Sequence, residues 1–180
     1  PPADVMLRRA EALGKDGDIT AVDPQYGRSI LHWASILAHP TLVDWLLRQG
    51  AAEQLVLIDH HGHSVIGCVH AFRSLPGTSQ VIDHLLSAGA GLDKLPYRGA
   101  ELLYRKDLTT TVIRKLLAAG VDVDGGGAFE STPLIAGCGS VDWGAASLLL
   151  EFEANVLRRG AFGMSVLHNP RLPVWLAEQF

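Results

Sequence analysis

Gly27, Ser29, Ile30, Leu31, His32 and Ala34 are followed about 15 residues on by Leu46, Leu47, Gly50 and Ala51, and that phrase decides the reading of the whole chain. It returns four more times. A second copy runs from Gly62, Ser64, Val65 and Ile66 to Leu85, Leu86, Gly89 and Ala90. A worn third has Gly99, Leu102, Leu103 and Tyr104 leading to Leu116, Leu117 and Gly120. The fourth has Ser131, Thr132, Pro133 and Leu134 leading to Leu149, Leu150 and Ala154, and the fifth begins at Gly163, Ser165, Val166, Leu167 and His168. With Leu31, Ile66, Leu103, Leu134 and Leu167 as equivalents, the steps are 35, 37, 31 and 33 residues. A period in that range marks an array of supersecondary units that bury their cores only by stacking.

Each part of the phrase has a physical reason. Thr132 can cap a helix whose first turn accepts Pro133, since proline there has no N–H to lose. A helix carrying Leu31 and Ala34, or Leu134 and Ala136, is apolar but short, so it must pack against neighbours. A second helix from about Thr41 to Gln49 places Leu42, Val43, Leu46 and Leu47 at helical spacing and stops at Gly50, which can take the left-handed conformation; Gly89 and Gly120 stop the next two. Asp59, His60, His61 and Gly62 then read as the turn of a hairpin finger leading into the next unit.

These residues resemble the ankyrin-repeat family, whose consensus places Gly, a variable residue, TPLH and Ala-Ala before a second helix ending in LL, two residues and Gly-Ala. The resemblance covers residues 17 to 180. It implies an all-α ankyrin-repeat solenoid of helix-turn-helix units with β-hairpin-like fingers, about five repeats, some degenerate. The expected organisation is a single domain over 1–180, with a capping helix and first finger in 1–26. Repeats follow at 27–61, 62–98, 99–129 and 130–162, and a truncated one at 163–180. Residues 4–13, with Val5, Met6, Arg9 and Leu13 at amphipathic spacing, form the expected cap. Two departures predict local distortion. Arg105, Lys106, Asp107 and Thr109 to Thr111 replace an Ala-rich helix and tight turn in the third repeat, so its first helix is expected to be short or frayed. In the fourth, Glu153 stands where the helix-ending Gly belongs, and Gly137 with Gly139 weakens the first helix.

Composition bounds the function. The 180 residues carry a net charge of −4, which argues against a general nucleic-acid binder. Apolar positions are broken by Gly, Asp, Arg and His everywhere, so no stretch reaches the length that crosses a bilayer. Two cysteines, Cys68 and Cys138, lack ligand spacing and suit a reducing, intracellular setting, cytoplasmic in the producing cell or in a host. The chain begins Pro1, Pro2, Ala3 with no initiator Met or charged leader, and reads as a segment of a longer protein.

No enzyme constellation emerges. His60, His61 and His63 could ligate a transition metal, but no Cys, Asp and Glu set beyond Asp59 completes a site, and exposed finger residues explain them. Cys68 with His70 falls on a packed helix, and Gly125 to Gly127 lack the GK[ST] of a phosphate loop. His32 and His168 occupy the TPLH histidine, whose ring in the family bonds the backbone of the neighbouring finger. No cofactor and no metal is expected. The resemblance instead implies a concave groove lined by fingers and first helices. Its free positions are Tyr26, Arg28, Ile36, Leu37, His60, His61, His63, Phe72, Tyr97, Arg98, Phe129, Glu130, Arg159 and Phe162. Aromatic and Arg side chains dominate interface energies. With Arg28, Lys94, Arg98, Arg105, Arg158 and Arg159 close to that groove, the expected ligand is an acidic or aromatic protein or peptide, with no nucleic acid and no membrane insertion. Trp45 and Trp143 are expected to be buried between repeats. The function so implied is a non-catalytic interaction module of a scaffold, adaptor or effector. The alternatives are a substrate-recruiting domain of a larger enzyme and, last, metal sensing by the histidine finger.

Overall fold

A computed structural model describes residues 18–70, 75–93, 95–105, 108–126, 131–140, 142–160, 162–174 and 178. The proposed capping helix at 4–13 lies outside them. The chain divides into two compact units, Pro1–Leu95 and Pro96–Phe180, and both are mostly helical.

The first unit opens with a finger. Strands β1 (Val22–Asp23) and β2 (Arg28–Ser29) pair antiparallel, Val22 opposite Ser29. Asp23 closes the turn between them: its carboxylate accepts the Gln25 N–H at 2.8 Å and its carbonyl accepts the Gly27 N–H at 2.7 Å. Ser29 then starts helix α1 (Ile30–Ile36) with a reciprocal cap. Its hydroxyl accepts the His32 N–H, and its own N–H donates to His32 Nδ1 at 3.2 Å. Every residue of α1 is buried, as befits a helix covered on all sides. Helix α2 (Pro40–Arg48) has Pro in its first turn and buries Val43 and Leu46. A 3₁₀ helix (Ala51–Val56) leads to the second finger, and Gln54 in it donates to the Ile19 carbonyl.

That finger forms where it is expected. Asp59 N–H donates to the His63 carbonyl at 2.9 Å, Gly62 N–H to the Asp59 carbonyl at 3.0 Å, and Ile58 bridges Ser64. Helices α3 (Val65–His70) and α4 (Thr78–Ser87) follow. First helix stacks on first helix, α1 on α3, and second on second, α2 on α4, burying Leu31, Trp33, Leu46, Ile66, Ile82 and Leu85 completely. Here Trp45 departs from expectation: it is 50% exposed, because the face of α2 that meets its neighbours is the one carrying Val43 and Leu46.

The second unit repeats the scheme with a worn first half. Residues Pro96–Tyr104 form a 3₁₀ helix rather than an α-helix, in keeping with the weak consensus there. Thr109 caps helix α5 (Thr110–Ala118). Thr132 caps helix α6 (Pro133–Ser140), accepting the Ile135 N–H at 3.2 Å, and the helix runs unbroken through Gly137 and Gly139. Asp142 caps helix α7 (Trp143–Glu151). A short 3₁₀ helix (Val166–His168) packs on α6 with the same Ser–His cap as α1, through Ser165 and His168. Leu102, Leu116, Leu134 and Leu149 are the fully buried leucines, whereas Leu167, the expected equivalent of Leu31, is exposed and Val166 beside it is buried.

The helix stops behave as the phrase requires. Gly50, Gly89 and Gly120 follow α2, α4 and α5 at φ of 95°, 90° and 89°. After α7 the same conformation falls on Glu153, at φ 63°. A side chain in that region costs roughly 1–2 kcal/mol. Glu153→Gly is therefore expected to stabilise the chain by about 1 kcal/mol, read as a raised urea midpoint. An unchanged or lowered midpoint would contradict the assignment of Glu153 as the helix-ending residue.

Candidate functional site

The first unit's two fingers are joined by a buried ion pair. Arg28 leaves the first finger one residue after Gly27, and its Nε donates to Asp59 Oδ2 of the second at 2.8 Å, with the side chains 4% and 0% exposed. The guanidinium lies 5.3 Å from the Tyr26 ring centre and 5.1 Å from that of Trp33, and those two rings meet edge to face at 5.8 Å. Two aromatic faces thus replace part of the water the cation has lost. The other Asp59 oxygen accepts the N–H groups of His61 at 2.9 Å and His63 at 2.8 Å, so one carboxylate ties Arg28 and folds its own finger.

Burial alone would raise the Asp59 pKa, but the His63 N–H, Arg28 and the His61 N–H outweigh it and hold the group at about 2. Behind it, burial pushes His32 down to about 4, against an upward pull from the Asp59 charge and from the backbone of His63 and Leu57. His32 is thus a neutral fold residue turned toward the next finger. Burial likewise lifts the Cys68 thiol to about 12 and Cys138 to about 11, which removes either as a nucleophile near neutral pH.

Around this anchor the fingertip side chains face outward. His60 and His61 are exposed, and Tyr26 and His63 are half-buried. Tyr26 and His61 lie 6.0 Å apart and His61 and His63 6.3 Å apart, ring centre to ring centre. The backbone joins the two fingers as well: His60 N–H donates to the Tyr26 carbonyl at 2.9 Å. The His60 ring covers Gly27 so closely that it leaves no room for a Cβ there. Arg159 and Phe162 stand exposed on the last finger of the second unit.

Some expected partner-facing residues lie elsewhere. Arg28 is inside, neutralised by Asp59, and Ile36 is buried in α1. Phe72, Lys94, Phe129 and Glu130 fall outside the described residues, as do the side chains of Tyr97 and Arg98. Asp59 is the residue that sequence reading undervalued. Its signal was present as an Arg after one finger's Gly with an Asp opening the turn of the next. Among the described residues no group of three or more His, Cys, Asp or Glu could hold a metal ion, and no helix is long and apolar enough to cross a membrane.

A family model described as ankyrin repeat matches residues 26–54, which span Tyr26, Arg28, α1, α2 and the turn beyond. That segment is similar to an ankyrin repeat. Ankyrin repeats are in general non-catalytic protein-interaction modules. No curated protein matches the chain.

Both His32 and Asp59 bind protons less readily folded than unfolded, so their contributions are complete above pH about 6.5 and are lost as pH falls. His32 acts first, between its ordinary 6.5 and about 4, and Asp59 next, between 3.8 and about 2. The urea midpoint is expected to fall steadily from pH 7.5 to 4.5, and less steeply in His32→Gln. A midpoint flat across that window in the parent chain would refute the burial of a neutral His32.

Proposed function

We propose that this chain is a non-catalytic protein–protein interaction module, a scaffold, adaptor or effector domain. It holds a protein or peptide partner on the face made by its fingers and first helices, the concave face that the ankyrin resemblance implies. The proposed array has about five repeats in a solenoid. The observation that carries this reading is the division of labour in the first two fingers. Asp23, Arg28, Asp59 and Ser29 are buried and fix the backbone with the Tyr26 ring packed on Arg28, while the side chains of His60 and His61 stand exposed on the turn so fixed. A preordered loop loses little entropy on binding, and rigid aromatic side chains give contact area at low cost. The acidic chain, with a net charge of −4, supports a protein rather than a nucleic acid as partner. Cys68 and Cys138, both free and buried, support an intracellular place of action.

The test is affinity capture from cell lysate with the chain as bait, beside a variant carrying His60→Glu, His61→Glu and Phe162→Ala. Discrete proteins retained by the parent and reduced about tenfold or more by the variant are expected, the scale of a lost interface hot spot. Equal retention by the variant would refute the finger face, and an absence of retained proteins would refute the module.

A further inference from the structure

The last finger of the second unit is built like the second finger of the first unit, but it lacks the carboxylate. Gly160 N–H donates to the Met164 carbonyl at 3.0 Å and Gly163 N–H to the Gly160 carbonyl at 2.8 Å. These are the bonds that Asp59, Gly62 and His63 make in the other finger. Gly160 therefore stands where Asp59 stands. In the first unit that carboxylate draws an arginine into the core and cancels it. The last finger has no side-chain carboxylate at that place, and its own arginines, Arg158 and Arg159, stand where Leu57 and Ile58 stand in the other finger rather than where Arg28 does. Arg158 and Arg159 stay exposed, and Arg159 donates only to the Gly163 carbonyl of its own turn, at 3.2 Å. The Asp124 carboxylate accepts the Asn155 N–H at 2.9 Å. Among the described residues neither arginine, nor the exposed Arg171 that follows, has an ion-pair partner.

The apolar side chains of the same finger are exposed with them: Phe162 at 86%, Leu157 at 68% and Met164 at 54%. Phe162 sits at the turn position of His61, and Met164 at the position after the Gly. Unpaired guanidinium groups beside a protruding aromatic ring and a pliable thioether are complementary to a chain that brings carboxylates and an apolar side chain together.

We propose that the face of the last finger carrying Arg158, Arg159, Phe162 and Met164 is a docking site for an acidic peptide segment of another protein. Phe162 and Met164 seat an apolar side chain of that segment, and Arg158 and Arg159 take the flanking carboxylates. This rests on the interaction-module reading and gives it a location and a ligand chemistry.

The test uses the full chain and a fluorescein-labelled twelve-residue peptide made of two Glu-Glu-Phe-Glu-Glu-Leu blocks, with Gln-for-Glu and Lys-for-Glu versions, followed by fluorescence anisotropy. The acidic peptide is expected to bind about tenfold or more tightly than the Gln version, and its affinity is expected to fall with added salt. Phe162→Ala, and separately Arg158→Glu with Arg159→Glu, are each expected to lower it about tenfold, with circular dichroism unchanged. Arg48→Ala, at an exposed position of α2 away from the fingers, is expected to leave it intact. Affinity unchanged in both finger variants would overturn the location while sparing the module. No preference for the acidic peptide would overturn the ligand class, and the lysate capture would then decide the module by itself. A dimer in sedimentation that Phe162→Ala dissolves would make a second copy the occupant. Phe162-dependent pelleting with phosphatidylserine vesicles would make it a membrane surface. Either result would overturn the proposal.

Discussion

Arg28 and Asp59 face each other inside the first unit, and the finger geometry follows from that contact. Two charges removed from water cost several kcal/mol apiece unless each finds nearly all the hydrogen bonds it has lost. Asp59 finds Arg28 on one oxygen and two backbone N–H groups on the other, and Arg28 finds Tyr26 and Trp33 across its faces. The carboxylate holds the backbones of His61 and His63, while burial beside the pair keeps His32 neutral and the Cys68 thiol protonated. A pair so placed contributes specificity of register as much as stability. It joins only these two fingers, with the rings of Tyr26 and Trp33 in place.

The last finger shows the same turn under a different charge rule. Its backbone bonds need only Gly163 and the Gly160 and Met164 carbonyls, so the turn closes without a carboxylate. With Gly160 in the place of Asp59 the finger has no carboxylate there, and it exposes its own Arg158, Arg159 and Phe162. A repeat frame in which turn-closing bonds are made by backbone leaves side-chain chemistry free to differ from finger to finger, which is how one fold serves many partners.

Much of the frame was legible in the sequence because its signals are local. The Gly-x-Ser-x-Leu-His phrase contains its own helix cap, the Leu-Leu-x-x-Gly phrase its own stop, and Asp-x-x-Gly its own turn, so α1, α2 and the second finger fall where spacing put them. The non-local facts were not legible. The positions of Arg28 and Phe162 both read as exposed finger positions. Only the packing of the two fingers reveals that Asp59, 31 residues from Arg28, withdraws one of them into the core. Trp45 failed for the same reason. Helical spacing places it on α2 but does not say which side of α2 the neighbouring helix covers. Glu153 could be read as an anomaly in the phrase, and its left-handed backbone is the physical form that anomaly takes.

The most direct measurement is a double-mutant cycle on the ion pair, with Arg28→Met and Asp59→Asn alone and together, unfolded in urea. Asparagine keeps an acceptor for the His61 and His63 N–H groups, which isolates the charge. If the pair fastens the fingers, each single variant loses more stability than the double variant's share, with a coupling energy of about 2 kcal/mol or more. Additivity within about 0.5 kcal/mol would contradict it, and the two fingers would then owe their register to Tyr26, Trp33 and the backbone alone.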